Sequence, residues 1–196
     1  MERYFDKRVQ RSKTAIKGAF LTLLYKKPFS QITVSEIVKE ADYNRGTFYA
    51  NFETKEHLRD ELIQDILREM VKQIRVPYQS NKKVDFYKMN AEDITLFHYF
   101  KENARLYRLL LSDHIRVDFR HQMAKAIEDL FILEYDYQLK KDTIIDSKWL
   151  YIYRAHGVAG LIIRWIEEDF KEDPIYMSRQ IIELMVTSTD GFYVKD

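Results

Sequence analysis

An all-α fold is predicted by three features of this 196-residue sequence. Only 5 Gly and 3 Pro interrupt it. Long stretches carry apolar residues at spacings of three and four, and residues that start and stop helices bracket those stretches. The expected arrangement is an N-terminal three-helix unit holding a helix-turn-helix, then a C-terminal helical bundle, with about nine helices in all. Hydrophobic residues make up 46% and charged residues 32%, the balance of a chain that buries a core in water. No stretch approaches the about 18 uninterrupted apolar residues of a membrane-spanning helix. The basic N-terminus (Arg3, Lys7, Arg8, Arg11, Lys13) has no apolar run behind it, so no signal peptide is expected. The lack of cysteine excludes disulfides, thiolate metal sites and thiol catalysis, and fits a reducing cytoplasm.

The first helix is expected from about Lys7 to Tyr25, where Ile16, Ala19, Phe20, Leu23 and Leu24 form one apolar stripe. Lys26-Lys27-Pro28 ends it: cations suit the C-terminal dipole, and proline cannot continue the helix. Phe29 and Ile32 are expected in the core. Thr33 and Glu36 have the spacing of a capping box, which fixes the start of a second helix with Val34, Ile37, Val38 and Ala41 on one face. Asn44 can cap a third, over the free N–H groups that follow it, and Tyr43 and Phe48 have the spacing of a hydrophobic staple. This third helix is too short and polar to stand alone. Its outward residues suit a recognition helix whose N-terminal end enters a major groove. Arg45 and Thr47 can donate to base edges or phosphates, Gly46 lets the backbone come close, and the Tyr49 hydroxyl can reach a phosphate. The next helix is expected from Thr54 to Ile74 on the spacing of Leu58, Leu62, Ile63, Ile66, Leu67, Met70 and Ile74, with Pro77 as its stop. Lys55 in its first turn opposes the helix dipole, so the position calls for a compensating partner.

Three segments, Ile32–Ile37 (ITVSEI), Ala41–Phe52 (A-x-x-x-R-G-T-F-Y-x-x-F) and Lys55–Leu58 (K-E-x-L), together resemble the TetR family of transcriptional repressors. The resemblance implies a helix-turn-helix core at 33–52 within a DNA-binding domain, 1–76, and an effector-binding and dimerisation domain, 77–196. Carried onto these positions, it gives a DNA face of Thr33, Tyr43, Asn44, Arg45, Gly46, Thr47, Tyr49 and Lys55, with Lys55 on a phosphate and Arg8 and Arg11 in an N-terminal arm. Tyr43 departs from the small or β-branched residue usual at its place. Charge agrees with this layout. Residues 1–52 hold 10 Lys+Arg against 5 Asp+Glu, whereas residues 53–196 hold 22 against 26.

Residues 77–88 read as a polar linker. Helices are then expected at about Ala91–Asn103, Ala104–Leu111, Val117–Tyr137, Ser147–Phe170 and Pro174–Tyr193. Ser147 can cap one, and Pro174 suits a first helical position. The last two helices carry more apolar surface than one buried face needs, and Gly157 and Gly160 permit close approach. A homodimer through those two helices is expected, since a helix-turn-helix reads a palindrome as a pair. The region between is rich in aromatics, and Tyr107, His121, Tyr151 and Trp165 are the candidates to line an effector pocket.

Enzymatic readings find little support. A di-iron bundle needs two E-x-x-H pairs, and only Asp118-x-x-His121 approaches one. No H-E-x-x-H, Walker loop, G-x-S-x-G or G-x-G-x-x-G is present. No catalytic residue, metal or cofactor is expected. The expected function is a cytoplasmic repressor released from a palindromic operator on double-stranded DNA by a small molecule. Two alternatives remain: a helix-turn-helix regulator that answers to a protein partner or to nothing, and a helical-bundle enzyme.

Overall fold

A computed structural model describes residues 2–139, 143–187 and 189–195, with side chains from residue 7 onward. Nine α-helices and one three-stranded antiparallel sheet are found among the described residues, and none of the helices is long and apolar enough to cross a membrane. The chain divides into two compact units, Met1–Ile66 with Ser112–Val117, and Leu67–Leu111 with Asp118–Asp196. The division falls inside the helix Lys55–Arg75.

The first unit contains α1 (Glu2–Leu24), α2 (Val34–Glu40), α3 (Arg45–Asn51) and the first half of α4 (Lys55–Arg75). Its core is the set that the apolar spacing picks out: Ile16, Phe20 and Leu24 from α1, Phe29 and Ile32 from the connection, Ile37, Phe48 and Phe52, and Leu58 and Ile63 from α4. Phe48 and Phe52 pack with ring centroids 5.7 Å apart. Burying each such ring contributes about 1.5–3 kcal/mol. The segment at 112–117 adds Ile115, wholly buried, while the His114 carbonyl accepts from Phe29 N at 2.8 Å.

The second unit holds α5 (Leu96–Glu102), α6 (Ala104–Leu111), α7 (Phe119–Glu134), α8 (Ser147–Glu167), α9 (Pro174–Val186) and a sheet of β1 (Lys83–Asp85), β2 (Tyr135–Leu139) and β3 (Thr189–Val194) in the order β1-β3-β2. Here the sequence expectations need correction. The helix expected over 117–137 stops at Glu134, and the one over 174–193 stops at Val186. Their tails are β2 and β3. The polar stretch 77–88 contains β1, and the helix expected from Ala91 starts at Leu96 after a single 3-10 turn. In β2 the side chains alternate between buried and exposed with period two, which a helix cannot exploit; in β3 the alternation breaks at Gly191 and Phe192, both buried. Val84 pairs with Phe192, and Phe192 with Tyr137, so the buried face of the sheet is aromatic. Tyr135 stacks on Phe192 at 3.9 Å and on Phe131 at 4.8 Å.

Candidate nucleic-acid interface

Local hydrogen bonds fix both short helices. The Thr33 hydroxyl accepts from Glu36 N at 3.3 Å, and Glu36 Oε2 accepts from Thr33 N at 3.0 Å, which completes the expected capping box. Lys27 donates to the same carboxylate and ties the end of α1 to the start of α2. These bonds, that from Lys27 foremost and those from Thr33 after it, lower the Glu36 pKa from an ordinary 4.5 to about 2. The charged form therefore favours the folded state. Its contribution is complete above 4.5 and is lost as pH falls towards 2. Melting temperatures of the Glu36→Gln variant and the native chain should accordingly differ by a constant amount above that range and converge within it. A gap that stays constant throughout would refute the pairing.

The turn between α2 and α3 passes through Asp42 in the left-handed region, at φ 57°. Asn44 then caps α3: its Oδ1 accepts from Thr47 N at 2.8 Å and from the Thr47 hydroxyl at 3.2 Å. Phe48 turns inward, leaving Arg45, Gly46 and Tyr49 exposed on the first turns and Thr47 half-buried beside them. The Arg45 guanidinium lies over the Tyr49 ring at 5.9 Å and donates to Tyr49 Oη at 3.3 Å and to Ser35 Oγ at 3.2 Å. Ser35, exposed on α2, thus joins the group; no spacing rule singled it out. Tyr43 is 39% exposed at the entry to α3. Six of the eight expected residues, Thr33, Asn44, Arg45, Gly46, Thr47 and Tyr49, lie on these two helices and their caps, and Tyr43 lies in the turn between them. Lys55, the eighth, begins α4, and its ammonium donates to the carbonyls of Phe29 at 3.1 Å and Ile32 at 2.8 Å. These carbonyls answer the misplaced charge noted in the sequence. They take two of its three protons, leaving one for a further acceptor.

Residues 19–62 match the family described as bacterial regulatory proteins, tetR family, and residues 93–187 match its transcriptional regulator C-terminal region. The chain belongs to the TetR family of transcriptional regulators, and its N-terminal domain is the DNA-binding one. It is 25% identical over 193 residues, 94% of its length, to YxbF of Bacillus subtilis (strain 168), an uncharacterized HTH-type transcriptional regulator. It spans only 47% of that protein. It is also 25% identical over 181 residues, 90% of each chain, to DhaS of Lactococcus lactis subsp. lactis (strain IL1403), the HTH-type dhaKLM operon transcriptional activator. A solved TetR transcriptional regulator from Streptococcus agalactiae 2603V superimposes with a TM-score of 0.59 at 25% identity, over 95% of this chain and 99% of that one.

In this TetR-family chain the four effector candidates of the second unit are dispersed. Tyr107 is fully buried against Phe100, and its hydroxyl donates to Tyr99 Oη at 3.4 Å. Trp165 packs on Phe97 and Phe170 and donates its indole N–H to the Glu172 carbonyl at 3.1 Å. His121 is exposed on α7, and half-buried Tyr151 donates to the Tyr135 carbonyl at 2.7 Å. None of the four lines the apolar cavity of this unit, which has a volume of about 90 Å³ and lies against the sheet. The walls come from Ile74 at the end of α4, Phe97, Phe131, Met185 and the aromatic sheet face. No lining residue carries a charge, and the polar side chains are Gln73 and the phenols of Tyr78, Tyr135 and Tyr137. The period-two pattern of 135–139 was the signal that could have marked the residues of β2; 189–194 carries no such alternation. No group of three or more His, Asp or Glu placed to hold a metal ion occurs among the described residues.

Proposed function

We propose that this regulator is a homodimeric repressor released from a palindromic operator by a small molecule. The observation that carries the reading is the capped α3 helix, which presents Arg45, Gly46 and Tyr49 to solvent directly after a helix fixed by its own capping box. Arg45 reads a base edge; Thr33, Tyr43, Asn44, Gly46, Thr47, Tyr49 and the remaining proton of Lys55 position the backbone. The DNA-binding domain extends to residue 76, and the remainder binds effector and partner. Dimerisation through α8 and α9 is supported by one exposed face of α8: Trp149 and Tyr153 are 64% and 76% exposed, and Gly157 and Gly160 continue the face with nothing within 4 Å of an added Cβ. Tyr176 and Leu184 are half exposed on α9. An effector in the apolar cavity touches Ile74, near one end of α4, while Lys55 begins the other, so α4 transmits the change. The shift can be no larger than the effector's differential affinity for the two dimer geometries.

Fluorescence anisotropy on the duplex upstream of the gene, against a scrambled duplex at two salt concentrations, tests this. Two chains should bind per duplex, preferring the upstream sequence by about tenfold or more. Equal, wholly salt-governed binding to both would refute specific recognition of that site. DhaS of L. lactis is named an activator. Reporter expression that falls on deletion of the gene would reverse the sign proposed here.

A further inference from the structure

The cavity of the second unit is built around a pair of hydroxyls. Tyr78 and Tyr135 are 5% and 3% exposed, and their hydroxyls hydrogen-bond to each other. Two phenols bring two protons to one shared bond, so one O–H is left to donate within an apolar site. Burial pushes both phenols well above their usual range, so both protons stay in place at neutral pH. The Gln73 amide is already engaged: it donates to Glu69 Oε1 at 3.2 Å and accepts from the Thr95 hydroxyl at 3.1 Å. The Arg154 guanidinium is not part of the lining. It lies over the ring of Tyr137 at 4.5 Å and donates to the Met185 carbonyl. The charges that act on the two phenols, Arg75 and Glu134, lie outside the lining and are paired with each other, so a charged guest would lose its hydration with no free counter-ion in the wall. The volume of about 90 Å³ is below the roughly 150 Å³ of an apolar cavity that admits benzene. Met89 and Met185 in the wall are unbranched and can move aside for a ring.

Building on the ligand-responsive reading above, we infer that this cavity takes a small uncharged molecule, apolar over most of its surface, with one oxygen that accepts a hydrogen bond from the Tyr78–Tyr135 pair. A monohydroxylated ring is the type case. The hydroxyl pair selects the oxygen, and the uncharged wall rejects acids and amines of the same shape.

The test is NMR of the full chain carrying ¹³C-labelled methionine methyls, titrated with phenol, toluene, benzoate and benzylammonium. Phenol should shift the Met89 and Met185 signals saturably and leave Met123 in place. Toluene should bind about tenfold more weakly, the worth of one neutral hydrogen bond, and the two ions should not saturate. In the Y78F/Y135F variant, phenol should fall to the level of toluene. Should that variant fail to fold, the ranking in the native chain decides alone. The inference is overturned if either ion matches phenol, if toluene equals phenol, or if no probe moves Met89 and Met185. Anisotropy on the upstream duplex with phenol separates the two levels. Shifted methionines with unchanged DNA affinity keep the ligand class and overturn ligand-responsive release. Altered DNA affinity with Met89 and Met185 unmoved does the reverse.

Discussion

Arg45→Ala weakens binding to the upstream duplex by about ten- to a hundredfold, the worth of one base-reading arginine at about 1–3 kcal/mol. The side chain stands exposed on the first turn of α3, steadied by Ser35 and Tyr49 rather than buried. Its loss leaves no cavity and no orphaned buried group, so melting should change by no more than the about 0.5 kcal/mol of an ordinary surface substitution. Binding to the scrambled duplex should fall far less, because a general phosphate contact is one among many. Arg45→Lys should not restore the native preference, since an ammonium lacks the planar fork that matches two acceptors at once. Equal losses on both duplexes would reduce Arg45 to a backbone contact, and no loss on either would remove it from the interface.

Gly191→Ala disrupts the second unit, with an expected cost of about 3 kcal/mol or more. Gly191 faces Asp85 in the register of β1 and β3, and an added Cβ would lie 2.0 Å from the Val84 carbonyl oxygen and 3.0 Å from its carbon. Both are backbone atoms, so no side-chain rotation relieves the overlap, and β1 has to leave the sheet. Chemical denaturation checks this against Gly18→Ala on the exposed side of α1. There an added Cβ meets nothing within 4 Å, and the gain in helix propensity should stabilise by about 1 kcal/mol. A native-like midpoint for Gly191→Ala would mean that β1 is not held against β3 in solution.

The two glycines also mark what could be read from the sequence. The first unit was legible because its decisive interactions are local: Thr33 with Glu36, Asn44 with Thr47, and apolar stripes that repeat within single helices. Lys55 is the exception, since the carbonyls it serves lie more than a score of residues upstream and no periodicity announces them. The second unit was legible only in its helices. Tyr135–Leu139 and Thr189–Val194 are short and follow closely on strongly helical stretches; the first holds a period of two for only a few residues and the second holds none, so helical spacing absorbed them. With the strands unseen, so was the cavity. Its wall joins helical residues such as Ile74, Phe97 and Met185 to the aromatic face of the sheet, and no spacing along the chain announces that meeting; Tyr107, His121, Tyr151 and Trp165 lie elsewhere.

That sheet also imposes a schedule on the growing chain. Phe192 closes on Val84 across 108 positions of sequence, the kind of distant pairing that is slow to find and has to wait until the later strand is made. The helix-turn-helix unit has its last contributing residue at Val117. A nascent chain thus holds every residue of the DNA-binding unit well before it holds α8, α9 and the last strand. On the reading proposed above, the recognition helix is finished first, and the pairing helices and the effector wall that would govern it arrive together near the end of synthesis.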